Sequence, residues 1–174
     1  MVGVQSGGAI IPAHEVEETQ RQVAAFDDGR IRVQGRRFIA RQPHVARFVT
    51  SLTEDVPGRA SEFAFYVGCI VWTMFDRAYG KRLPQVSQRC LVETFGHLRG
   101  DMERFVGSES RFLERYLRNA DFMRQPHVVR FIVDTLLTRR LDGLELTREA
   151  RGICLVVLLS GIQAMDAALH PADR

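Results

Sequence analysis

Two histidines hold the same place in a motif that the chain carries twice. The copies are Arg41-Gln42-Pro43-His44-Val45-Ala46-Arg47-Phe48-Val49 and Arg124-Gln125-Pro126-His127-Val128-Val129-Arg130-Phe131-Ile132, with seven of nine residues identical. A proline suits the first helical position. Each imidazole therefore falls in a first turn, beside unpaired backbone N–H groups, where it could bind a metal or exchange a proton with a ligand. Arg47 and Arg130 follow one turn later. If the copies face each other across a twofold axis, these four side chains share one pocket. Asp76 and Asp166 come after the long apolar stretch that follows each copy. A carboxylate at the edge of a core needs a partner, and Arg47 and Arg130 are the expected ones. His44, His127, Arg47, Arg130, Asp76 and Asp166 thus form the candidate ligand site. The competing reading makes them helix-start residues and structural ion pairs.

Other constellations are weaker. Glu93, His97 and Asp101 line one helix face at spacings of four, but the two Glu-x-x-His pairs of a di-iron bundle are absent, so no metal site is expected. Arg30, Arg32, Arg36, Arg37 and Arg41 crowd the segment between the first two expected helices, where they could hold an anion or a nucleic-acid backbone. No helix-turn-helix, zinc finger or aromatic platform accompanies them. Neither Gly-x-Ser-x-Gly, a phosphate-cradling glycine loop nor His-Glu-x-x-His occurs. Cys69, Cys90 and Cys154 sit among apolar neighbours, where burial makes a thiol a poor nucleophile. No catalytic residue and no cofactor is expected.

The elements that position these residues are helical. Apolar residues recur at spacings of three and four almost throughout, with period-two alternation only near Arg30 to Val33. Helices are expected over about 14–26, from Pro43, over 61–79, from Pro84 to about 106, over 109–118, from Pro126 and over 147–169. The segment 27–35 separates the first two, and residues 1–13 form a loose tail. Residues 14–174 form one domain, large enough to withdraw roughly 70% of its unfolded surface from water without staples. The odd number of cysteines predicts reduced thiols, and the apolar runs Phe63 to Phe75 and Gly152 to Ile162 are short for a membrane span, so a cytoplasmic protein without membrane contact is expected. Lys81 is the single lysine beside 23 arginines, at a net charge of +3. GC-rich coding accounts for that bias as well as phosphate recognition does.

The motif separation is 83 residues, whereas Asp76 and Asp166 are 90 apart. Duplication of a helical hairpin is the simplest account, with repeats at about 36–80 and 119–170. The fold class is therefore all-α: a compact bundle of about seven helices in a short superhelical or pseudo-twofold arrangement. The function expected from this layout is non-enzymatic. It is protein–protein interaction, regulation or scaffolding, with a homodimer as the simplest partner. A helical domain holding a small ligand or metal between the hairpins is the alternative, and a weak nucleic-acid binder the second alternative.

Overall fold

The computed structural model describes residues 9–105, 124–137 and 146–171, with 101–105 as backbone only. The described residues are all-helical and contain no strand. Seven α-helices are present among them: α1 (Ala13–Ala24), α2 (Asp28–Arg41), α3 (Pro43–Ser51), α4 (Ala60–Tyr79), α5 (Gln88–Phe105), α6 (Pro126–Leu137) and α7 (Arg148–Leu169). A 3-10 turn, Gly80–Arg82, follows α4. The expected helix over 109–118 and the turn at Asp142-Gly143 lie outside the described residues.

Helices α4 and α7 are apolar on most sides, and they form the centre of the fold. They pack on each other, while α3 lies on both and α6 lies on both. Helix α1 packs on α4 and α6, and α5 packs on α7 and α3. Trp72 and Phe38 are fully buried and stack at 5.6 Å between ring centres, which fastens α2 to α4. By length and composition α7 alone among the described helices could cross a membrane; here most of its positions from Cys154 to Met165 are buried.

Three local expectations are corrected. Residues 28–41 form a helix rather than a break, so the five arginines lie on α2 and not in a loop. The Asp27 carboxylate accepts from the Arg30 backbone N–H at 2.8 Å, and Ile31, Gln34, Gly35 and Phe38 face the core at helical spacing. That cap and buried stripe outweigh the roughly 1 kcal/mol by which each glycine weakens a helix relative to alanine. Helix α5 begins at Gln88 instead of Pro84, because residues 84–87 are non-helical and held by the side chain of Gln42, just ahead of α3. Residues 9–12, assigned to a loose tail, are tied down in the same manner, with Ile11 only 1% exposed. Ahead of α4, Arg59 stands in the left-handed region at φ 59°, after Gly58 at φ 80°.

Candidate functional site

The repeated motif is built around its glutamine. Gln42 and Gln125 are each 1% exposed, immediately ahead of α3 and α6. The Gln42 amide donates to the Pro84 carbonyl at 2.8 Å and accepts from the Val86 N–H at 2.9 Å, which fixes the segment leading into α5. The Gln125 carbonyl accepts from the Ile11 N–H at 2.9 Å, fixing the segment leading into α1. The Gln125 NH2 donates to the Tyr79 hydroxyl and to Asp166 Oδ1, each at 2.9 Å. Tyr79 in turn donates to the Ala9 carbonyl. The oxygen and the nitrogen of both buried amides are thereby hydrogen-bonded, as burial of polar groups demands.

His44 and His127, by contrast, are exposed on the first turns of α3 and α6. His127 lines a shallow groove of about 310 Å³ against α1, together with Glu17, Arg130 and Asp134. His44 is not among the residues of that groove. Arg47 is exposed, and Arg130 pairs with Asp134 at 3.7 Å instead of Asp166. The two aspartates take other arginines. Asp76 lies 3.5 Å from Arg37 and 3.7 Å from Arg41, and Asp166 lies 3.9 Å from Arg124. Arg41 and Arg124 each directly precede a motif glutamine, so the aspartates meet the start of the motif rather than its middle. The expected pairing with Arg47 and Arg130 fails: both are exposed, and the arginines that reach the aspartates stand ahead of the motif glutamines.

The arginines of α2 are largely engaged within the fold. Arg30 lies 5.9 Å from the Phe26 ring centre, Arg32 donates to the Asp28 carbonyl, and Arg37 and Arg41 share Asp76. Arg36 is exposed. Glu93 pairs with Arg89 at 2.7 Å and His97 is exposed, while the Asp101 side chain lies outside the described residues. Among the described residues, no three His, Cys, Asp or Glu side chains stand close enough to hold a metal ion.

The feature that sequence reasoning missed is a cleft of about 370 Å³ enclosed by the first four helices. Its apolar walls are Val23 of α1, Ile31 and Gly35 of α2, and Phe65 of α4. Gly35 opens the wall, since a Cβ there would meet the Phe65 ring at 3.4 Å and any longer side chain would fill the space. Polar groups enter from Gln34, Thr50, Ser61, Glu62, Tyr66 and Cys69. Most are held by the protein: Gln34 donates to Thr73 at 2.9 Å, and Thr50 bonds back to its own helix. The Cys69 thiol is 6% exposed, and burial pushes its pKa up to about 12, so it offers no nucleophile at neutral pH. Burial also raises the Tyr66 phenol above its ordinary value. The only signal in the sequence was Gly35 within an otherwise buried stripe, and glycine there reads equally well as a helix breaker.

Among the described residues, then, the chain is all-helical, with a mostly apolar cleft on the side of α1 to α4. Set against protein-family models, curated proteins and solved structures, the chain gives no match.

Proposed function

We propose that this chain is a non-catalytic helical domain that binds a small, largely apolar molecule in the cleft between α1, α2, α3 and α4. The carrying observation is the cleft itself. Its volume and its apolar walls with a few convergent polar groups are those of a small-molecule site. The reading keeps the ligand-binding alternative but moves its location, from the space between the motif histidines into the first half of the chain. A protein-binding domain would show a contiguous apolar surface. Among the described residues the exposed large apolar side chains, Ile10, Val33, Ile39, Leu52, Tyr66 and Val92, are instead spread over three helices and two connecting segments. The test is a thermal-shift screen with neutral aromatic and aliphatic compounds, repeated on Gly35→Leu. Stabilisation that Gly35→Leu removes while helix content persists supports the reading; a hit unaffected by Gly35→Leu overturns it.

We infer also that the two halves of the chain are copies related by a pseudo-twofold axis. The clamps are reciprocal: Gln42 of the first half holds the entry to α5, and Gln125 of the second half holds the entry to α1. Alignment by those bonds pairs Ile11 with Val86, and it also pairs Glu18-Thr19 with Glu93-Thr94, identical dipeptides at the same separation of 75 residues. At the α4–α7 crossing, a Cβ on Gly68 would stand 3.7 Å from Leu158, and these two residues are 90 apart, as Asp76 and Asp166 are. Equivalent positions touch each other only where a twofold axis passes. The copied unit then includes α1 and α5, and is longer than the hairpin suggested by the motif.

A further inference from the structure

We propose that the ligand of this cleft is an organic cation, an apolar body carrying an ammonium group that is held at the mouth by Glu62; this deepens the binding reading above and rests on it. Among the residues lining the cleft, Glu62 is the one that carries a charge, and no lysine, arginine or histidine joins it. A carboxylate, phosphate or sulfonate would find no cation in the cleft wall, and Arg59 is already paired with Glu62. An ammonium would meet a carboxylate flanked by two aromatic rings, Phe65 and Tyr66, both on the cleft wall. Ring faces attract cations, and a charge-assisted bond to carboxylate adds to that attraction.

The carboxylate has room for such a guest. Its present partner is Arg59, and both Arg59 contacts, from Nε at 2.9 Å and from Nη2, fall on Oε2. Oε1 remains for a second cation. Both members of this pair are well exposed, at 68% and 66%, so the pair is held loosely and Arg59 can swing aside. Deeper in, the Gln34 NH2 donates to the Thr73 hydroxyl, which itself donates to the Cys69 carbonyl, so the inner end favours hydrocarbon over a second polar group.

The experiment is isothermal titration calorimetry on the full chain with three probes of one shape: 1-naphthylmethylammonium, 1-naphthylmethanol and 1-naphthoate. The ammonium should bind at least about fivefold tighter than the alcohol, as expected for one exposed charge-assisted contact plus ring attraction, and the carboxylate weakest. Glu62→Gln should remove most of the ammonium's advantage, leaving only the ring attraction, while the alcohol is unchanged. Arg59→Ala should tighten the ammonium by removing its competitor. Both substitutions are on exposed side chains and leave the core intact. An alcohol that binds as well as the ammonium, or an ammonium preference undiminished by Glu62→Gln, overturns the assignment of ligand charge while leaving the cleft reading standing. Failure of all three probes to bind a chain whose circular dichroism shows intact helix overturns both.

Discussion

Gln42 and Gln125 each use one primary amide to hold a stretch of extended backbone that would otherwise expose its N–H and C=O groups to a dry interior. Replacing Gln42 by alanine leaves the Val86 N–H buried and unpaired, a loss of about 1–3 kcal/mol that urea denaturation should read as a lower midpoint at unchanged slope. Gln125→Glu should cost more. It removes the donor to Tyr79 and Asp166 and sets a second carboxylate against Asp166, which is itself 6% exposed. The motif was legible in the sequence, but its chemistry was assigned to the histidine. A glutamine before Pro reads as local helix-start chemistry, whereas its partners lie 42, 44 and 114 residues away and no spacing rule reaches them. Burial of Cys69 and Cys154 was legible, because apolar neighbours in a helical pattern predict it directly, whereas Cys90, expected to be like them, is only half-buried. Burial raises the Cys69 and Cys154 thiols to about 12 and about 11. The unfolded chain ionises them first, so their contribution is fully present below about pH 9 and is lost as pH climbs toward those values. Stability measured against pH should therefore fall from about pH 9 upward, and the fall should be shallower in a Cys69→Val, Cys154→Val double variant.

At the scale of elements, helix α2 decides whether the cleft exists, since it supplies Ile31, Gln34 and Gly35 to the wall. It is also the helix that pattern reading missed. Two glycines and a polar glutamine interrupt its apolar stripe, so the 3.6-residue period is hidden, and only the fully buried Phe38 stacked on Trp72 reveals which face turns inward. The start signal was present in Asp27, whose carboxylate caps the Arg30 N–H. Asp27→Ala should cost about 1 kcal/mol, the ordinary worth of a helix cap, and Asp27→Asn much less. Because the cap loosens the element that walls the cleft, Asp27→Ala should also weaken probe binding in step with the loss of stability; unchanged affinity would detach α2 from the site. The converse error occurred at α5, where Pro84 looked like a first-turn proline. Pro126 and Pro43 do occupy that place, but Pro84 precedes an extended clamp segment instead, because Gln42 had already claimed its carbonyl. The remaining long helices α4 and α7 were legible because an unbroken apolar run of that length has few alternatives to a central buried helix.

For the molecule as a whole, reciprocal clamps mean that neither half contains all of its own supports. Residues 1–82 lack Gln125 to hold Ile11, and residues 83–174 lack Gln42 to hold Val86. Each fragment alone also exposes the face of α4 or α7 that the other covers. Expressed separately, the halves should be poorly soluble or lack a cooperative thermal transition. Mixed after refolding, they should form a 1:1 complex with the helix signal of the intact chain, because Lys81 and Arg82 at the cut are exposed and the cut breaks no clamp. The entropy of joining two chains is the only large term lost, so the complex should weaken on dilution while the intact chain does not. Sedimentation of the mixture against each fragment reads this directly. If residues 1–82 melt cooperatively by themselves, the first half is self-sufficient, the exchange of α1 and α5 between halves is incidental, and the cleft, which lies wholly within α1 to α4, should then bind the ammonium probe without the second half. If they do not, the second half serves the cleft by clamping the entry to α1, whose Val23 closes one wall; Gln125→Ala should then lower probe affinity from a position outside the cleft, in proportion to its cost in stability.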